Sequence, residues 1–113
     1  MLKIKKILFA IDLDSKDISP AEGALKVAQM FDSEIHFLYV NDIHAGFRHP
    51  TDREDAVALR LKEEISDELL SASRVVYAVA KGDLADEIIK YCKDNEIGLV
   101  IVGHKNRPRI YGK

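Results

Sequence analysis

Short, mainly apolar runs alternate along this chain with longer segments in which apolar residues recur every three or four positions. The short runs are typical of parallel strands that are covered on both faces, because they are nearly continuous in apolar character and too short for helices. They predict four strands, at residues 4–11, 35–40, 75–80 and 99–102.

The longer segments carry helix signals. Residues 19–22 read Ser-Pro-Ala-Glu, in which the serine caps free amides, the proline suits the first helical position and the glutamate completes a capping box. Residues 51–54 form a second capping box, and Asp83 suits the cap of a third helix. The predicted helices are 19–31, 51–72 and 84–95. Their predicted core residues are Ala21, Ala24, Leu25, Ala28 and Phe31, then Val57, Leu61, Ile65 and Leu69, then Ala85, Ile88, Ile89 and Cys92.

The resulting order is βαβαβαβ. Strands that alternate with helices predict a three-layer α/β domain whose parallel sheet is joined by right-handed crossovers. Residues 41–50 are predicted to form a loop, the longest connection in the chain. After the fourth strand only Ile110 and Tyr111 are apolar, so no fifth strand is predicted and strand four is expected to be an uncovered edge.

Composition narrows the class of protein. The chain has 113 residues, of which 47% are hydrophobic, and this is enough for one domain with one core. A formal net charge of −2 disfavours nucleic acid as a partner despite the basic tail from Lys105. No apolar run approaches the ~20 residues of a membrane span. The single cysteine, Cys92, cannot form an internal disulfide, so we expect a cytoplasmic protein with no membrane association.

Two polar segments follow predicted strands, where ligands bind in open α/β sheets. Asp12 could hold a ribose hydroxyl or a metal ion, or it could merely cap backbone amides. The sequence favours neither interpretation over the other. The segment Gly103 to Asn106 could offer amides to a phosphate, with Lys105 and Arg107 supplying positive charge. An ordinary glycine turn is the favoured interpretation of that second segment, because a single glycine is a weak signal.

Catalytic patterns are missing from the sequence. No P-loop or dinucleotide-binding glycine pattern follows a strand, and no Ser-His-Asp or Cys-His spacing indicates a nucleophile. The histidines lack zinc-site spacing, and Cys92 on an apolar helix face is expected to be inert. We therefore predict no catalytic residue and no metal site. A receiver-type module is a weaker alternative, since Asp12 and Asp14 supply only part of its acidic cluster.

Three blocks, in the right order and spacing, carry a resemblance to a known family. They are Lys6–Asp12, Ile35–Asp42, and Gly82–Ile89 followed by Leu99–His104. Over nearly its whole length the chain resembles the universal stress protein family. The resemblance implies one domain, 1–113, with the Rossmann-like fold of adenine nucleotide alpha hydrolases and strand order 3-2-1-4-5. Without a fifth strand, the expected order here is 3-2-1-4, in a domain that looks truncated at its C-terminus.

The resemblance also implies a site between strands one and four. In nucleotide-binding members, an aspartate after strand one and a valine ending strand two contact the nucleoside. These carry over to Asp12, preceded by Ala10 and Ile11, and to Val40. The phosphates lie on a Gly-x-x-Gly-x9-Gly-Ser/Thr motif, which begins here as Gly103, His104, Lys105 and Asn106.

Most of that phosphate motif is absent. Asn106 replaces its second glycine, and its third glycine and hydroxyl residue would fall beyond Lys113. Gly-His-Lys-Asn is also similar to the Gly-His-bearing members, a group that does not bind ATP. The resemblance thus implies a non-catalytic regulatory or protective stress protein with weak or no ATP binding. The alternative is a binder of ATP or AMP with magnesium that hydrolyses ATP slowly at most. In either case we expect a homodimer, formed through the uncovered edge of strand four.

Overall fold

A computed structural model describes residues 4–11, 19–42, 54–102 and 109–112. Nine elements follow one another along these ranges: β1 Lys6–Ala10, α1 Ser19–Met30, β2 Glu34–Asp42, α2 Glu54–Glu64, α3 Asp67–Ser71, β3 Arg74–Gly82, α4 Leu84–Asp94, β4 Leu99–Val102 and β5 Arg109–Gly112. None of the helices in these ranges is both long enough and apolar enough to cross a membrane.

The sheet confirms the predicted α/β fold and the strand order. Its order is β3-β2-β1-β4-β5, and the pairs among the first four strands are parallel. β1 lies between β2 and β4, with Ile7 beside both Ile35 and Leu99. Ile7 and Leu8 are fully buried although they point to opposite faces, as the continuous apolar run predicts.

The prediction that strand four is an uncovered edge was wrong. β5 pairs with β4 in the antiparallel direction, with Val102 beside Arg109 and Leu99 beside Gly112. A parallel fifth strand needs a crossover of a dozen or more residues, whereas an antiparallel strand needs only a short connection. Only residues 103–108 separate β4 from β5, so the short tail can still satisfy the backbone groups of the edge.

Two element boundaries also differ from the prediction. The single helix predicted to end at residue 72 is divided into α2 and α3, because the Ser66 side chain accepts a hydrogen bond from the Leu69 amide at 3.3 Å and starts a new helix. β2 extends through Asn41 and Asp42, which were predicted to begin a loop. In the sheet these two residues lie beside Lys81 and Gly82 of β3.

The larger core cluster lies between the sheet and α1, α2 and α3. Its largest fully buried side chains include Phe37, Leu25 and Leu61, and the Phe37 ring meets the edge of Phe9 at 5.7 Å between centroids. The predicted core residues of the first two helices are buried or half-buried, with one exception. Phe31 is exposed, because α1 ends at Met30 and the chain turns through Asp32 at a φ of 52°.

The second core cluster lies on the opposite face of the sheet, where α4 packs over β2 and β3. Cys92 is buried against this cluster, as predicted, and Ile88 is half-buried. The predicted stripe was wrong at Ala85 and Ile89, which are exposed. Within the described ranges α4 is the only helix on this face, so one flank of its apolar surface has no helix to pack against.

A polar network ties α4 to β2. The buried His36 side chain contacts the Tyr91 hydroxyl through Nδ1 and Glu34 Oε1 through Nε2, each at 2.6 Å. With a neutral imidazole, Nε2–H donates to the carboxylate and the tyrosine hydroxyl donates to Nδ1. The two rings also meet edge to face at 5.6 Å. The network satisfies a buried histidine and fixes the rotation of α4 about its axis.

We expect opposite effects from the same substitution at two glycines. Gly82 ends β3 at a φ of +146°, and an added Cβ would lie 3.1 Å from Glu87 Oε2. Gly23 is inside α1 with open space around it. Gly82→Ala should lower the free energy of unfolding by at least about 1 kcal/mol, and Gly23→Ala should raise it by about 0.5–1 kcal/mol. Urea denaturation followed by circular dichroism measures both; equal effects would contradict the strained geometry at Gly82.

We expect Tyr91→Phe to lower the free energy of unfolding by about 1–3 kcal/mol, because it leaves a buried nitrogen of His36 without its partner. Tyr77→Phe is the matched control, since Tyr77 is half-buried and its ring stacks on Phe37 at 6.4 Å. The control should change stability by less than about 0.5 kcal/mol at neutral pH. Equal losses in the two variants would show that the hydroxyl of Tyr91 has no special role.

Tyr77 also makes stability depend on pH in the alkaline range. Burial raises the pKa of Tyr77 above its ordinary value of 10.0. The unfolded chain therefore releases this proton first, so the stabilising contribution is complete below pH 10.0 and is lost as the pH rises through the folded-state pKa. Between pH 9 and pH 11, about one unit either side of the ordinary value, the wild type should lose more unfolding free energy than Tyr77→Phe. Parallel losses would contradict this assignment.

Candidate functional site

The strand order reverses between β1 and β4, and we call the region outside the carboxyl ends of these two strands the crevice. From β1 the chain proceeds to β2 and β3 on one side, and it later returns to β4 on the other side. Ligands bind outside the carboxyl ends of the strands at such a switch point. Ala10 and Val102 are neighbours in the register at this edge, so the last residues of β1 and β4 form the two walls of the crevice.

Three of the predicted site residues lie at this carboxyl edge. Ala10 pairs with Leu38 of β2, and the Ile11 amide donates to the Leu38 carbonyl at 2.9 Å. Val40 is two residues further along β2, beyond the end of the β1 ladder, and its side chain is buried. These three positions supply apolar side chains and backbone groups, which suit the flat face of a base or another planar apolar ligand.

The other predicted site residues, Asp12, Gly103, His104, Lys105 and Asn106, lie outside the described residues. Their connections along the chain are nevertheless informative. Asp12 directly follows Ile11, and Gly103 directly follows Val102, which ends β4 beside Ala10. Both segments therefore leave the sheet from the two walls of the same crevice.

Asn41 is a residue of this edge that the sequence analysis missed. Its side chain is only 9% exposed, and its Oδ1 atom is buried without a hydrogen-bond partner. A buried acceptor without a partner costs about 1–3 kcal/mol. The signal was a polar residue directly after Val40 in an otherwise apolar strand, but Asn41 had been assigned to a loop.

The N-terminus of α4 lies at the same edge, after Gly82, but it is not open to an anion. The Asp83 side chain caps it by accepting a hydrogen bond from the Asp86 amide at 3.1 Å. Asp86 and Glu87 add negative charge to the first turn. These carboxylates already use the positive end of the helix dipole, so a phosphate would be repelled there.

Other candidate chemistry lies away from the crevice. His36 is near the start of β2, at the opposite edge of the sheet, where Glu34 and Tyr91 hold it. A cavity of about 340 Å³ also lies at that opposite edge, lined in part by Gln29, Ser73 and Arg74. Among the described residues, no three His, Cys, Asp or Glu side chains are grouped so that they could hold a metal ion.

Solved structures with similar folds include the universal stress protein UspA from Lactobacillus plantarum. It superposes with a TM-score of 0.68 at 22% identity, over 91% of this chain and 79% of that one. The hypothetical protein MJ0577 aligns with a TM-score of 0.49 at 22% identity, over 88% of this chain and 74% of that one. No curated protein sequence gives a significant match.

The family model provides the remaining comparison. The model of the universal stress protein family matches residues 3–112, which include every element of the sheet and its covering helices. Together with the strand order and the crevice between β1 and β4, this match establishes that the chain belongs to the universal stress protein family.

Proposed function

We propose that this chain is a non-catalytic regulatory or protective module of the universal stress protein family, with weak or no binding of ATP. The observation that carries the proposal is the short connection between β4 and β5. β4 ends at Val102 and β5 begins at Arg109, so six residues, 103–108, connect them. The family's phosphate motif, as the sequence resemblance implies it, extends well beyond that length.

Among the described residues, few other groups are positioned to hold phosphates. Phosphate sites in α/β proteins use several backbone amides, commonly at a free helix N-terminus. Here the N-terminus of α4 is capped by Asp83 and carries acidic residues in its first turn. Lys105 and Arg107 supply charge in the short connection, but charge alone gives little geometric selection for a triphosphate.

The absence of a catalytic pattern from the sequence supports a role without chemistry. His36 and Cys92, two groups with potential reactivity, are buried elsewhere in the fold and not at the carboxyl edge. We place the module in the cytoplasm, supported by the single cysteine.

The alternative function is binding of adenine nucleotide, with at most slow hydrolysis. The crevice between Ala10 and Val102, with Val40 nearby, supports it because this is the expected ligand position in the fold. In that case Asp12 would hold the ribose, and Mg²⁺ would accompany the phosphates of ATP. The unsatisfied Oδ1 of Asn41 could accept a hydrogen bond at the same edge.

Isothermal titration calorimetry with ATP and AMP in the presence of Mg²⁺ tests the two functions. We expect dissociation constants of about 1 mM or weaker, equivalent to about −4 kcal/mol or less favourable. We also expect no phosphate release from ATP above the rate in buffer. The physical reason is that the six residues between β4 and β5 are too few for the phosphate motif that the resemblance implies.

Two aspartates between β1 and α1 in the sequence provide matched variants. Asp12→Ala removes the carboxylate of the residue that directly follows Ile11, and Asp14→Ala removes a carboxylate two residues further along the chain. Micromolar binding that is lost in the first variant and retained in the second would overturn the proposal in favour of the alternative. Absence of heat and of any thermal shift at millimolar nucleotide would instead remove the alternative.

A further inference from the structure

An apolar side chain stands exposed at the centre of α4. Ile89 is 54% exposed, midway along the helix Leu84–Asp94, and Ala85 one turn before it is also exposed. The sheet-facing side of the helix is occupied by Ile88, Tyr91 and Cys92. The exposed side chains therefore belong to a separate flank of α4, which the fold leaves uncovered.

The charges beside Ile89 are arranged symmetrically. Asp86 lies three residues before Ile89 and Lys93 lies four residues after it, so all three share one face of the helix. We call Asp86, Ile89 and Lys93 the α4 stripe. It runs from negative through apolar to positive, and neither charged side chain forms an ion pair with another described residue.

A stripe with this order is complementary to the same stripe of a second copy that runs in the opposite direction. When a second α4 lies antiparallel to the first, Ile89 meets Ile89 of the other copy, and each Asp86 lies opposite the Lys93 of the other copy. A two-fold axis through Ile89 generates both contacts, as an interface between identical copies requires. We propose that a second copy of this chain docks on the α4 stripe in this antiparallel arrangement.

The helix is held firmly enough to present the stripe. The contacts of His36 with Tyr91 and Glu34 fix α4 to β2, and Cys92 is buried beneath it. Asp83 caps its N-terminus, and the Asn95 backbone amide donates to the Tyr91 carbonyl at 3.0 Å near its C-terminus. Docking therefore requires little ordering of the backbone, which reduces the entropic cost of association.

The expected dimer is weak. One apolar side chain from each copy and two exposed ion pairs correspond to the small end of the range of protein interfaces, below about 1,200 Å² in total. We expect a dissociation constant on the order of 100 µM, set by the α4 stripe and independent of nucleotide. This dimer differs from the one expected from an uncovered strand four, because β5 covers that strand.

Sedimentation equilibrium of the full chain without nucleotide, at concentrations up to about 1 mM, tests the arrangement. Ile89→Glu should abolish the dimer, because it buries two like charges at the two-fold axis. Leu59→Glu is the matched control: Leu59 is 58% exposed on α2, away from the stripe, and its replacement should leave the dissociation constant unchanged.

Charge reversal gives the sharper test. Asp86→Lys and Lys93→Asp should each raise the dissociation constant by about tenfold through like-charge repulsion across the interface. The double variant should return to within about threefold of the wild type, because the two charges exchange places. The cap of α4 survives in these variants, since Asp83 bonds the backbone amide of residue 86. Circular dichroism confirms that each variant is folded.

Two outcomes overturn the inference. A wild-type chain that remains monomeric throughout the concentration range has no such interface. A dimer that is unaffected by Ile89→Glu and by both charge reversals uses another surface, such as the outer edge of β5. Both readouts are obtained without nucleotide, so they are distinguishable from any failure of the proposed function.

Discussion

β1 is enclosed by the rest of the protein on every side. It has a parallel strand on both edges and a core cluster on each face, with Ile7 and Phe9 in one cluster and Leu8 in the other. Its backbone groups can be satisfied only by β2 and β4, and its side chains can be removed from water only by layers on both faces. This enclosure requires β1 to be an interior strand, and its pairing with β4 places Ala10 beside Val102 at the carboxyl edge.

The two faces of the sheet are covered to different degrees. On one face α1, α2 and α3 bury a large continuous cluster, whereas on the other face α4 is the only helix among the described residues. On the face with the single helix, polar contacts add to the apolar packing: Tyr91 of α4 and Glu34 of β2 both contact the buried His36. Because no second described helix lies on this face, Ile89 remains in contact with water. Anchoring and exposure of α4 thus have one cause, the small number of elements on that face.

Local sequence signals were sufficient for most of the framework. The apolar runs around Leu8 and Val100 identify buried strands, because a continuous apolar run is typical of a strand that is covered on both faces. Asp83 identifies the start of α4 because its carboxylate satisfies an amide that the helix itself cannot. These properties depend on neighbours along the chain and can therefore be deduced without tertiary information.

The predictions that were wrong concern contacts between residues that lie far apart in the sequence. Ile89 belongs to a regular apolar stripe, but burial depends on a neighbouring layer that the helix pattern cannot report. β5 has too few apolar residues to be recognised alone, and its position depends on the unpaired edge of β4. Asn41 had the appearance of a loop residue until its pairing with Lys81 extended β2. For the candidate site, the positions of Ala10, Ile11 and Val40 at the strand ends follow from the strand order, whereas ligand affinity depends on segments beyond those ends.

The register of β1 has a consequence for how this protein is made. Ile7 pairs with Ile35 on one side and with Leu99 on the other, so the central strand pairs with a segment that lies far from it in the sequence. During synthesis β1 can pair with β2 early, but its second edge stays open until residues 99–102 have left the ribosome. Contacts at such long sequence separation slow folding, because loop-closure entropy must be overcome before the pairing is gained. The most enclosed strand of the native sheet therefore becomes fully protected late, and a nascent chain exposes an apolar strand edge until β4 is available to pair with it.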